Sequence, residues 1–450
     1  MFADHPEYQL FPNKRLVRLI IPLIIEQSIL ITVSLIDAVM LTSVHPDAYS
    51  AISLVDMINN LVMQVFMAIG AGGAIVASQF IGKRDRESAL ETATQTILLT
   101  LAVSLSIALM MLMSNRPLLG AIYPQVNTSI MGYSRIYFAL SAISYPAYAM
   151  YNCGVNMLYA QSNSSSSMKS TFLMYTAKVA LNLLFIRVFN LGVWGIGLAT
   201  ILSRLLGAGL VTHLLLNRES LIHYIRPFSI KRLLKLDRRI FKVAGPAATE
   251  NSLFLFGKLI VGVFVAGFSG TMIAANSAAN TISAIASVPA SAINLAAITV
   301  ISQCVGGRLM GEAEYNAKRL LKMVFIAQFT MAFALFLLVE PLVNMLNLSP
   351  ESSRMAIDIL RIYFALTFLF EPTAFGLPNT LRAAGDNKFT MYASILSMVI
   401  FRVGSSFLFT KVLGMGIMGV WYGMYLDWIF RSLLFILRFR SGKWKQHSLV

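Results

Sequence analysis

The sequence predicts an all-α membrane protein: twelve transmembrane helices in two six-helix bundles, related by a pseudo-twofold axis along the membrane normal. Three observations predict it. Of 450 residues, 57% are hydrophobic and 12% charged, against about 25% charged in a soluble domain. The apolar residues fall in long continuous runs rather than alternating ten-mers, which selects helices over a β-barrel. Third, the chain repeats itself. Pro22-x-x-x-Glu26 recurs as Pro246-x-x-x-Glu250 (246 − 22 = 224). Ser78-Gln79 and Gly82 recur at that offset as Ser302-Gln303 and Gly306, and Lys178 as Arg402. Gly192 and Gly414 open the sixth and twelfth spans at nearly the same spacing. The hexapeptide RIYFAL stands at 135–140 and again at 361–366. Several matches at one spacing mean two homologous halves. Six spans is an even number, so both halves enter the membrane in the same sense, as parallel repeats do.

The elements follow in order. The first apolar run, 16–43, is long enough to cross a bilayer, which takes roughly 20 residues. It is too long for a signal peptide and has no small-residue cleavage site, so it is expected to stay as a span. Further apolar runs lie at 49–81, 92–114, 131–160, 168–189 and 191–216. A polar, basic stretch at 218–239 interrupts them. Six more runs follow at 240–268, 271–305, 320–346, 355–381, 388–410 and 414–437. The expected division is an N-terminal six-helix bundle over 1–216, a cytoplasmic basic linker over 217–239, and a C-terminal six-helix bundle over 240–450 with a short cytoplasmic tail.

The formal net charge is +16, and its placement argues against nucleic acid. With the N-terminus inside, the inner loops carry Lys14, Arg15, Arg18, Lys83, Arg84, Arg86, Lys169, the basic linker, Arg308, Lys318, Arg319, Arg382, Lys388 and the tail. The outer loops carry only scattered basic residues such as Arg116, Arg187, Arg354 and Lys411. This is a positive-inside pattern, and it puts both termini in the cytoplasm of a multi-pass plasma-membrane protein. The charge is a signal of topology and anionic-lipid contact. Cys153 and Cys304 make neither a metal spacing nor a disulfide framework. The five histidines are scattered. No phosphate-binding loop or dinucleotide fingerprint is present, and no catalytic constellation points to an enzyme. No cofactor or resident metal is expected.

The first run carries two carboxylates, Glu26 and Asp37. Eleven residues come within about 20° of three full turns, so both acids share one helix face, roughly 16 Å apart along the axis. An ionisable group inside a membrane costs roughly 2.5–3.5 kcal/mol on insertion scales, which makes each a functional candidate facing a bundle interior or a watery cavity. The plainer reading is a buried acid that pairs with a base and holds helices together. Glu250 and Glu371 are the corresponding candidates in the second half, where together they would form a second acidic site with room for a transient Na⁺. Asp56 and Asn60 lie one turn apart on the second span and are candidates for the same cleft as Asp37. Lys178, Lys258, Arg204 and Arg402 read first as ion-pair partners and second as substrate contacts; Asn182 stands one turn after Lys178. Asp427 and Arg431 have the i,i+4 spacing of a simple pair. Pro372 and Pro378 open the hydrogen-bond ladder, which suits a hinge. The eighth span, rich in Ala, Ser and Asn around Pro289, is expected to pack closely or bend.

These residues resemble a known family, multidrug and toxic compound extrusion (MATE). The resemblance covers essentially the whole chain. It rests on the six-plus-six repeat, on Pro22 followed by Ile36-Asp37-Ala38-Val39-Met40, on Ala77-Ser78-Gln79-Phe80-Ile81-Gly82 before a basic loop, and on Leu381-Arg382-Ala383-Ala384-Gly385-Asp386. It implies a monomer that exports bulky, often cationic amphipathic compounds in exchange for inward H⁺ or Na⁺, with Asp37 as a coupling residue. Glu371, eleven residues before Arg382, looks like the tenth-helix carboxylate of the Na⁺-linked branch. That branch also has a seventh-helix acid about two turns after the entry proline, where this sequence has Phe254; Glu250 comes one turn after Pro246. Lys178 and Asn182 stand where some relatives carry an Asn and an Asp, and a lysine there neutralises Asp37 or replaces a bound cation. The 24 Met and 29 Phe suit an adaptable pocket, although most of them read as core and lipid-facing filling. The alternative within transport is a flippase or exporter of a lipid-linked or endogenous metabolite. Such proteins usually have strongly basic cavities, whereas the first span here is acidic.

Overall fold

The computed structural model describes residues 10–42, 46–217, 221–223, 230–447 and 449–450. Among these there are helices and no strands. The first six spans are α1 (Asn13–Thr42), α2 (Pro46–Gly82), α3 (Arg86–Ile122), α4 (Thr128–Ala160), α5 (Ser164–Leu183) and α6 (Gly192–Leu216). α5 runs on as a π-helical turn, Leu184–Val188. The Asp85, Asn127 and Asn163 side chains accept from the backbone N–H groups of Ser88, Ser129 and Ser166 and so begin α3, α4 and α5.

α7 (Ile230–Ala266) starts the second half. The expected linker ended at residue 239, but its last ten residues already belong to this helix. Most of the rest of the linker lies outside the described residues, as does Ser43. The eighth span is two helices, α8 (Gly270–Ala286) and α9 (Val288–Gly306). They part at Ser287, because Pro289 at the start of α9 has no N–H to continue the ladder. α10 (Met310–Leu337) and the short α11 (Val339–Asn344) form the ninth span. α12 (Pro350–Glu371) and α13 (Leu377–Ala384) form the tenth, joined by a π-helical stretch, Pro372–Gly376. The opened ladder expected from Pro372 and Pro378 takes this form. α14 (Asn387–Leu396), two further π-helical stretches and the single turn α15 (Ser405–Phe407) make the eleventh, and α16 (Gly416–Arg440) the twelfth. Ten of these helices are long and apolar enough to cross a membrane by length and composition alone.

The repeat is visible in the backbone. Arg84 and Arg308 both have positive φ (63° and 59°), as do Asn190 and Gly414 (52° and 65°) and Gly192 and Gly416 (54° and 58°), each pair 224 positions apart. Gly192 is therefore matched structurally by Gly416, two residues beyond the glycine that the sequence suggested. Ser78 Oγ donates to the Ala160 carbonyl at 3.3 Å, and Ser302 Oγ to the Ala383 carbonyl at 3.3 Å.

The chain packs as two compact units. One is Ile21–Ala248; the other joins Met1–Ile20 to Thr249–Val450. In the first, Phe138, Val55, Ile52 and Leu119 form one buried cluster, and Phe66 meets Tyr145 edge-on at 5.9 Å. The unit extends to Ala248 because Ile240 and Ala244 pack on Ile69 of α2. Gly72 permits this: a Cβ there would stand 3.0 Å from the Ala244 Cβ. In the second unit an aromatic core gathers Tyr363, Phe364, Trp421 and Trp428. Residues 10–15 are docked on this unit. Phe11 is 1% exposed. Leu10 N donates to Glu312 Oε1 at 2.8 Å, Arg319 donates to the Phe11 carbonyl at 3.2 Å and to Asn13, and Arg15 reaches Gln303 at 3.4 Å. These contacts make the grouping differ from the expected bundle boundaries at both ends.

Candidate transport site

The two acids of α1 do share a face, and α5 carries the complementary one. Glu26 accepts from Ser167 and Thr171; Asp37 accepts from Lys178 and Asn182. The four α5 residues fall at spacings of four, seven and four, a single helical stripe. Asp37 is eleven residues beyond Glu26, and Lys178 is eleven beyond Ser167, so α1 and α5 run in the same direction along this seam.

The Lys178 ammonium pairs with Asp37 Oδ2, and Asn182 Nδ2 donates to Oδ1 at 3.2 Å. Both charged side chains are largely but not fully covered, at 25% and 18% exposure. They border a cavity of about 70 Å³ lined also by Asp56, Tyr137, Thr200, Met40, Ile186 and Ile196, enough for a few waters. Asp56 Oδ1 accepts from Tyr137 at 3.1 Å and from Asn59 at 3.0 Å. Asn59 in turn accepts from the Tyr145 hydroxyl at 2.7 Å. Asn60, the expected partner, is exposed instead. Asn59 and Asn60 flank Asp56 on opposite sides, about 60° and 40° round the helix, and only the Asn59 flank is buried.

The second unit holds its acids differently. Glu250 pairs with Arg382 at 2.6 Å. Glu371 accepts from Ser287 at 2.7 Å, from Gln328 at 2.8 Å and from Thr367. The break between α8 and α9 is what aims Ser287 at it. Glu250 and Glu371 thus have separate partners, and no common acidic pocket joins them among the contacts of the described residues. No group of three or more His, Cys, Asp or Glu is placed to hold a metal among those residues. Phe254 lies 5.2 Å under the Arg431 guanidinium. Asp427, wholly buried, takes Arg431 at 3.1 Å, Arg402 at 3.8 Å and Ser397 at 2.5 Å.

Of the four bases singled out within the spans, Lys178 and Arg402 have carboxylate partners. Arg204 and Lys258 have no ion pair among the described residues. Arg204 rests on the Ser144 hydroxyl at 2.6 Å, the Met63 sulfur at 3.8 Å and the Tyr148 ring at 4.9 Å. Sequence reasoning missed Tyr137, Asn59, Ser167, Thr171, Ser287, Thr367 and Gln328. One signal was present: Tyr137 sits inside the repeated RIYFAL, and its counterpart Tyr363 donates to the Ser283 carbonyl at 3.5 Å.

Polar groups held inside the spans of two homologous helical halves define a multi-span membrane transporter. The MatE family model matches residues 22–184 and 246–408, the same two halves, and the chain belongs to the MatE family. The probable multidrug resistance protein NorM of Thermotoga maritima is 25% identical over 457 residues, covering 97% of this chain and 94% of that protein. The uncharacterized transporter YisQ of Bacillus subtilis is 24% identical over 444 residues, 95% and 94% of the two chains. Among solved structures, an outward-facing multidrug resistance MATE family transporter of the MOP superfamily superposes with a TM-score of 0.89 at 19% identity, covering 98% of each chain. A MOP superfamily transporter from Pyrococcus furiosus, described as having a binding pocket of reverse polarity, gives 0.86 at 20% identity, again over 98% of each. Both establish the likeness of fold.

Proposed function

We propose that this protein exports small amphipathic, often cationic compounds from the cell in exchange for an inward cation, by alternating access. The observation that carries the reading is Asp37 beside Lys178, Asn182 and Asp56 at a polar cavity inside a span. The description of the Thermotoga relative as a multidrug resistance protein supports it. The protein acts as a monomer in the plasma membrane, in contact with lipid, with both termini in the cytoplasm as the loop charges indicate.

The coupling ion is H⁺ rather than Na⁺. Sodium needs several oxygens in a fixed cage, whereas a proton needs one carboxyl. Lys178 already occupies Asp37, and Arg382 occupies Glu250. Lys178 can stay on an ionised Asp37 and leave a protonated one. The test uses purified protein in Na⁺-free proteoliposomes: a pH gradient alone drives ethidium export. Transport that requires Na⁺ at every pH and ignores the proton gradient would overturn it, and Glu371, whose partners are all neutral, would become the better site. A second reading, export of a metabolite or lipid-linked compound bearing an acidic group, draws on Arg204 and Lys258, two bases within the spans with no ion pair among the described residues. Competition of such anions with ethidium separates the two.

A further inference from the structure

The buried carboxylates fall into two chemical kinds. Asp37, Glu250, Asp427 and Asp386 each touch a Lys or Arg. Glu26, like Asp56 and Glu371, touches only neutral donors, and of these three it alone is reached solely by hydroxyls. It is 2% exposed. Ser167 Oγ lies 3.0 and 3.1 Å from its two oxygens, Thr171 Oγ1 lies 2.6 Å from Oε1, and Tyr159 bonds the same carboxyl. The titratable groups facing it are Tyr151 and Tyr159 from α4 and Tyr175 from α5; no cation faces it among the described residues.

A charge taken out of water without a counter-charge costs several kcal/mol, and hydroxyl donors offset only part of that. A carboxyl escapes the cost by holding a proton. This surrounding can serve both forms. Hydroxyls donate or accept as needed, and they are linked in a chain. Thr171 Oγ1 lies 2.7 Å from the Tyr151 hydroxyl, and either atom can be the donor. When Glu26 is ionised, Tyr151 donates to Thr171, which donates to Oε1. When Oε1 is protonated it donates to Thr171, which turns to donate to Tyr151. The chain reverses without moving a helix. A lysine or arginine, which can only donate, could not do this.

We propose that Glu26 is a proton-holding site in its own right, separate from the Asp37–Lys178 pair, and that it takes up and releases a second proton during transport, beside the one on Asp37. The proton comes from water and returns to water, leaving the carboxyl as carboxylate; no other bond changes. This rests on the antiport reading above, but its test can be separated from it.

Infrared spectroscopy of the purified full-length protein reads the site directly. At neutral pH a protonated-carboxyl carbonyl band is present in the wild type and in Asp37→Asn, and absent in Glu26→Gln. Thr171→Val, which keeps the carboxyl and cuts the chain, shifts the pH at which the band disappears. Ethidium binding by the wild type strengthens as the pH rises through the range in which the band disappears; Asp37→Asn keeps that dependence and Glu26→Gln loses it. Export driven by a pH gradient falls about tenfold or more in Glu26→Gln, within the range of coupling between linked sites. If Glu26→Gln loses no component of the protonated-carboxyl band, or no such band appears in the wild type down to mildly acidic pH, Glu26 is not the proton site. A wild type that shows the band yet exports no ethidium would refute the transport reading alone.

Discussion

Lys178 faces Asp37 as Arg402 faces Asp427, two bases at equivalent places in the repeat that reach acids on non-equivalent helices. Asp37 stands on the first span of its half and Asp427 on the last. The first pair is partly open beside a cavity; the second is closed, with Asp427 at 0% exposure. The same inherited position serves an exchangeable site in one half and a structural knot in the other.

The open pair makes the first prediction. Asp37→Asn abolishes or severely reduces ethidium export while the protein still folds and inserts, because the exchangeable charge is lost and Lys178 loses its partner. Export at the wild-type rate in proteoliposomes would make Asp37 a structural residue.

Lys178 is itself a cation in the place a Na⁺ could take. Lys178→Asn leaves Asp37, Asn182 and Asp56 around the same cavity with only oxygens and amides. Export by this variant becomes Na⁺-stimulated, whereas export by the wild type stays indifferent to Na⁺. Parallel flux measurements with and without Na⁺ decide it.

The closed pair predicts a stability effect without a transport signature. Asp427→Ala strands Arg431 and Arg402 in the core of the second unit. Breaking a buried pair from one side costs about 3–5 kcal/mol. Thermal unfolding in detergent reads this as a large drop in melting temperature.

Gly73 tests packing between α2 and α3. A Cβ there would fall 2.2 Å from Thr96 Oγ1. Gly73→Ala destabilises by about 1–3 kcal/mol, the usual cost of overpacking, and Thr96→Ala added to it restores part of the loss. A single variant as stable as the wild type would show that the helices can separate there at little cost.

Orientation has a labelling test. Cys153 and Cys304 are both buried, so the background is low. A cysteine at Gly120 reacts with an impermeant maleimide in intact cells, and one at Lys83 reacts only after permeabilisation. The reverse pattern would invert the topology.

Much of the fold was legible because membrane solvation leaves few choices. Apolar runs must be helices, and repeats at one offset must be homologous halves. The shared face of Glu26 and Asp37 followed from helical period alone, as did the Asp427–Arg431 pair. Partner choice was harder to read. Arg204 looked like an ion-pair residue but rests on a hydroxyl, a thioether and a ring, because pairing depends on which helices meet. Ser167, Thr171 and Ser287 are small polar residues of a kind common in close-packed spans, and nothing local marks them as carboxylate donors. The Glu250–Glu371 pairing failed for the same reason: Arg382 arrives from the short helix α13 and Ser287 from the junction of α8 and α9, and periodicity places neither.

The docking of Phe11 beside Arg319 and Glu312 means that the covalent border and the packing border of this protein do not coincide. A chimera that exchanges halves with a relative at the basic linker would bring a foreign residue 10–20 segment to this chain's α9–α10 corner. The seat for Phe11, the carbonyl contact of Arg319 and the amide contact of Glu312 would then all be mismatched at once. A productive exchange has to cut α1 itself, just before Pro22, and leave its opening turns with the half that comes last in the gene.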